Sequence, residues 1–111
     1  MGALVTFRDF RRGPAAGLCW RMGVDIQPYR TWREFTDAMV FKADRAAFME
    51  AARDLDNVAS TGERAVVHAI LHAADFAAQA DEFAQGRTWW RLSCTTGDHA
   101  AAVAASLRRI D

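Results

Sequence analysis

The chain is poor in the residues that staple or punctuate a fold: among 111 residues, two are cysteine, two are proline and one is lysine. Cys19 and Cys94 are too few for a disulfide framework, and neither belongs to a paired metal-ligand motif, so cysteine usage fits a reducing cytoplasm. Proline and glycine are too sparse for an interdomain linker and no segment is of low complexity, which leaves a single domain over residues 1–111. No apolar run approaches the roughly 20 residues needed to span a bilayer, so no membrane association is expected. The opening Met1-Gly2-Ala3-Leu4-Val5-Thr6 fits a loose myristoylation pattern, but it lacks the basic cluster that would supply a second membrane signal. No cleavable secretion signal is expected from the first residues either.

Chemical motifs are missing as well. There is no nucleophile elbow, phosphate-binding glycine loop, dinucleotide fingerprint or pair of catalytic carboxylates, so no catalytic residue and no cofactor is expected. Lysine is nearly absent while arginine and alanine abound, the bias of a GC-rich, bacterial coding sequence.

What is present is a helical pattern. Hydrophobic residues make up 51% and charged residues 25% of the chain, the balance of an ordinary globular domain. Ser60 and Glu63 form a capping box, Gly86 suits a helix end, and Val66, Val67, Ile70, Leu71, Ala74, Ala77 and Ala78 cover one broad side between them. A helix so nearly apolar all round belongs inside a bundle. Thr31 with Glu34 opens a second long stretch, in which Trp32, Phe35 and Met39 share one face and Phe41, Phe48, Ala52 and Leu55 another. Without Gly or Pro near Phe41, the pattern predicts one helix in contact with two neighbours. Thr95-Thr96-Gly97-Asp98 repeats the same start signal before Ala100, Val103, Ala104 and Leu107.

The predicted fold is therefore all-α: a compact small bundle of three main helices, at about 31–55, 61–85 and 97–109, behind a short N-terminal helix or extended segment. Thr6 and Asp9 mark that leading helix, and Gly13-Pro14 its stop. Leu18, Trp20, Met22, Val24 and Ile26 then alternate with period two, which predicts an extended segment packed on the helices.

Four groups of residues are candidates for function. Trp89 and Trp90, flanked by Arg87 and Arg91 in the linker before the last helix, combine side chains enriched at protein-binding hot spots. Six arginines face two aspartates in the first 33 residues, and Arg8, Arg11, Arg12 and Arg21 are candidates for a nucleic-acid surface. His68, His72 and Asp75 place two imidazoles and a carboxylate along one helix side, half of a transition-metal site. On a helical projection they continue into a polar stripe with Gln79 and Glu82. Asp81 and Glu63 project instead onto the apolar side, where pairing with Arg45 or Arg53 is expected. Taken together, the sequence points first to a non-catalytic protein-binding module, an inhibitor, adaptor or self-associating protein. Nucleic-acid binding and a metal-dependent activity are the alternatives.

Overall fold

The computed structural model describes residues 6–85, 87–93 and 95–109, with the side chains of Ala77, Thr88 and Trp89 outside that description. Gly2, Gly86 and Cys94, singled out in the sequence, lie outside it too. The described chain forms eight helices: α1 (Phe7–Arg12), α2 (Pro14–Arg21), α3 (Trp32–Phe41), α4 (Arg45–Val58), α5 (Thr61–Ala73), α6 (Ala77–Phe83), α7 (Thr88–Ser93) and α8 (Gly97–Arg108). The architecture is all-α, as expected, and among the described residues no helix is long and apolar enough to cross a membrane. The division into three main helices does not hold, because two of the three stretches are broken.

Each break has a local cause. The segment at 31–55 ends its first helix at Phe41, where the Ala38 carbonyl accepts from the amides of both Lys42 and Ala43 at 2.9 Å. Asp44 then starts α4 afresh, its carboxylate accepting from the Ala47 amide at 3.0 Å. The change of apolar phase near Phe41 thus marks a helix end. Phe41 projects into solvent while Phe48, Ala52 and Leu55 enter the core.

The segment at 61–85 breaks at Asp75, whose φ of 69° is left-handed. The Phe76 amide donates to the Leu71 carbonyl at 2.7 Å and the Asp75 amide to the His72 carbonyl at 3.2 Å. This pair of bonds is a Schellman closure built without glycine, since a short polar side chain tolerates the left-handed region. The residues before and after it therefore belong to two helices, and the predicted stripe from His68 to Glu82 is divided.

The leading helix α1 forms as predicted, with Asp9 Oδ2 accepting from the Thr6 amide at 3.2 Å. Pro14, expected to stop it, also starts α2, because proline is tolerated in a first helical turn. The stretch around Trp20 is helical up to Arg21, contrary to the extended segment expected. Ala15, Leu18, Cys19 and Met22 recur at helical spacing and are the buried set, whereas Trp20 is exposed.

The core is built around α5, whose residues from Ala65 to Leu71 are all buried. Helix α8 packs along it, and α2, α4, α6 and α7 contact it as well. Phe7 and Phe10 meet the Trp32 ring at 4.9 and 4.6 Å between centroids, tying α1 to α3. Each fully buried phenylalanine contributes about 1.5–3 kcal/mol. Arg45 closes the opposite seam. Its guanidinium donates to the carbonyls of Met39, Ala74 and Asp75 at 3.0–3.2 Å and lies 3.9 Å above the Phe76 ring. One side chain thereby joins the end of α3, the start of α4 and the turn between α5 and α6.

Candidate functional site

Cations and an aromatic surface meet where α4, α5, α6 and α7 come together. Here the segment predicted as an indole-bearing linker is itself a helix, α7. Its placement depends on Arg91, whose Nη2 donates to the Asp56 carboxylate near the end of α4 and to the Arg64 carbonyl at 3.2 Å. Burial works against the Arg91 charge and pulls its pKa below the usual range, so the neighbouring carboxylate is needed. Arg64 holds the same corner from α5, with Nε donating to the Asp56 carbonyl at 2.8 Å.

These groups line a cleft of about 250 Å³, together with Phe83, Arg87 and Trp90. Trp90 is 57% exposed and the Arg87 guanidinium sits 4.4 Å above its ring. Three guanidiniums and a single carboxylate among these groups make the cleft cationic. Of the four residues expected at a binding surface, Arg87, Trp90 and Arg91 are brought together here. Arg91 acts from below as a strut. The Trp89 side chain lies outside the described residues.

A second cluster sits across the break between α5 and α6. His68 and His72, one turn apart on α5, stack at 5.0 Å between ring centroids with 15° between planes. Their Nε2 atoms converge on one oxygen of Asp81, from 3.4 Å for His68 and 3.1 Å for His72. The carboxylate that completes the group is therefore Asp81 of α6, and not Asp75, which occupies the left-handed turn. Helical projection missed Asp81 because it treated residues 61–85 as one continuous rod. The turn at Asp75 folds α6 back and carries Asp81 to the histidines.

His68 belongs to the core and not to a solvated stripe: its side chain is fully buried, and among the described residues its Nδ1 has no hydrogen-bond partner while its Nε2 meets only Asp81, at 3.4 Å and outside hydrogen-bond geometry. A buried polar group left so costs about 1–3 kcal/mol. Burial, and then the neighbouring His72, hold the His68 pKa below its ordinary range, with the Asp81 carboxylate opposing them. Neutral imidazole is the form that ligates metals.

The remaining expectations are distributed differently. Arg11 is half-buried and donates to the carbonyls of Gln27 and Tyr29 at 3.2 and 2.7 Å, fastening the loop after α2. Arg21 lies 3.5 Å from Glu63. Arg8 and Arg12 are exposed. Two of the four arginines considered for nucleic acid are thus engaged within the fold. Neither Arg45 nor Arg53 is the partner found for Asp81 or Glu63; Arg45 holds the carbonyls described above, and Arg53 lies 5.9 Å from the centre of the Phe83 ring. Cys19 is deeply buried and its thiol is pushed up to about 12, which removes the reactive thiolate at neutral pH.

The chain matches no protein-family model, no curated protein and no solved structure, so any function has to be argued from these two sites alone.

Proposed function

We propose that the chain is a non-catalytic protein-binding module whose contact surface is the cleft beside Trp90, and that it takes an acidic segment of a partner protein. The observation that carries this reading is the exposed Trp90 ring with the Arg87 guanidinium stacked 4.4 Å above it at a cationic cleft. Indole and guanidinium groups are the side chains most enriched at binding hot spots. A stacked arginine is already ordered, so less side-chain freedom is lost on association. The Arg91–Asp56 contact beneath supplies a rigid floor. An anionic side chain entering the cleft meets guanidiniums on its walls, and an apolar neighbour in the same segment can cover the Trp90 face.

The test uses a labelled peptide of alternating glutamate and phenylalanine beside its lysine and phenylalanine counterpart. Fluorescence anisotropy should report saturable binding of the acidic peptide alone. Trp90→Ala and Arg87→Ala, with folding checked by circular dichroism, should each weaken that binding at least about tenfold. Equal binding of both peptides, or affinity untouched by either substitution, would remove this surface from consideration. The nucleic-acid alternative predicts instead a salt-dependent affinity for polynucleotides that Arg8→Ala and Arg12→Ala reduce.

A further inference from the structure

We propose that His68, His72 and Asp81 form a three-donor site for a divalent transition ion of the zinc class. The cluster offers one ligand atom from each residue, all within 4.8 Å of one another. One of the three separations already fits, and a second falls about 0.2 Å short of the tetrahedral range. A tetrahedral ion with bonds of about 2.0–2.2 Å holds its ligand atoms about 3.3–3.6 Å apart. The Nε2 atoms of His68 and His72 stand 3.4 and 3.1 Å from the shared Asp81 oxygen. The third separation, between the two imidazoles, has to close by at most about 1.5 Å relative to that ideal edge. His72 is about one-third exposed and has room for this adjustment, while His68 is locked in the core.

The burial gradient across the site points the same way. His68 presents to Asp81 a fully buried Nε2 at 3.4 Å, outside hydrogen-bond geometry, whereas the more exposed His72 makes a 3.1 Å hydrogen bond to the same oxygen, so His68 is the less well satisfied of the two. An ion bound through the in-plane lone pairs of the two Nε2 atoms would occupy the buried nitrogen. Asp81 is half-exposed, which leaves a fourth coordination position open to water or to a ligand atom from outside. Two imidazoles and one carboxylate select zinc, nickel or copper over magnesium and calcium, which take oxygen donors. The ion would also clamp α6 onto α5 across the turn at Asp75, coupling metal binding to the stability of that junction.

The experiment uses the full chain without a histidine tag, stripped with a chelator, and adds Zn²⁺ against a colorimetric indicator. One equivalent should bind with a micromolar or tighter dissociation constant, and thermal unfolding should shift upward. Asp81→Asn and His72→Gln lie at the surface and should keep the fold, yet each should weaken Zn²⁺ binding by about 100-fold or more, since loss of even an outer-shell partner costs about 10–100-fold. His99→Gln and Glu82→Gln should leave it unchanged; His99 packs beside Gly62 at the other end of α5. Co²⁺ should give visible absorption of a four- or five-coordinate nitrogen and oxygen site in the parent chain, lost in Asp81→Asn. The proposal is overturned by absence of saturable Zn²⁺ binding up to millimolar metal. It is equally overturned if Asp81→Asn and His72→Gln bind as the parent does, or if His99→Gln is the substitution that removes binding.

Discussion

Arg91 on α7 donates to the carboxylate of Asp56, thirty-five positions earlier in the chain, with both side chains largely withdrawn from solvent. The pair joins the end of α4 to a short helix that by itself has too few turns to persist in water. Removing one partner leaves the other as an uncompensated, mostly buried charge. Asp56→Ala is expected to cost about 3 kcal/mol, read from the midpoint of urea unfolding at neutral pH. The double variant Asp56→Ala with Arg91→Met should recover part of that loss, because no buried charge then remains. A single variant as stable as the parent would mean that α7 is held by apolar packing alone.

Arg45 works by a different balance. Its guanidinium satisfies three carbonyls at helix ends and covers the Phe76 ring, so truncation orphans several acceptors at once. Arg45→Ala should destabilise by about 2–4 kcal/mol, from lost charge-assisted hydrogen bonds and the exposed ring. Arg45→Lys should recover only a small part, since a compact ammonium cannot reach the α3 carbonyl and both carbonyls of the α5–α6 turn with the spread of a guanidinium. Full rescue by lysine in a denaturation series would reduce the role of Arg45 to that of a single positive charge.

The sequence pattern revealed the helical class, the cap at Thr6 and the capping box at Ser60, and the burial of the apolar residues of the central helix though not of His68, because these depend on local periodicity and on side chains three positions apart. It concealed the two breaks. Asp44 and Asp75 end or start helices through local hydrogen bonding and a tolerated left-handed backbone, without the glycine or proline that usually marks such a place. The error then spread to the site. With residues 61–85 taken as a straight rod, Asp81 projected onto the apolar side and Asp75 beside the histidines; the turn exchanges their roles. Arg87, Trp89, Trp90 and Arg91 could be grouped from the sequence because all four lie within one short stretch. The Asp56 and Arg64 side of the cleft could not, since only tertiary packing brings α4 and α5 to α7.

The left-handed turn at Asp75 gives a direct test of that account. Glycine reaches a φ of 69° without the Cβ penalty, whereas a β-branched side chain meets its own carbonyl. Asp75→Gly should be neutral or stabilising by about 0.5–1 kcal/mol, and Asp75→Val should destabilise by about 1–2 kcal/mol. Both values come from chemical denaturation, with circular dichroism confirming unchanged helix content. A stabilising Asp75→Val would indicate that α5 and α6 run on as one helix.

Glu63 carries the pH dependence that can be argued from the start of α5. Its carboxylate accepts from the Ser60 amide at 3.0 Å, and the Ser60 hydroxyl accepts in turn from the Glu63 amide at 3.2 Å. The Ser60 amide, then its hydroxyl and, more weakly, Arg21 and His99 hold the Glu63 carboxyl below its ordinary range. Because the folded value is the lower one, the charged carboxylate stabilises the fold at pH above the ordinary value of about 4.3, and that contribution disappears as pH falls through the folded value. Glu63→Gln keeps an acceptor at the cap but carries no charge, so it isolates the ionic part. The stability gap between parent and Glu63→Gln should stay constant from neutral pH down to about pH 5 and shrink steadily below about pH 4. Urea midpoints collected across that interval measure the gap directly. A gap that persists undiminished to about pH 2 would place the carboxyl outside the capping box, in conflict with the geometry at Ser60.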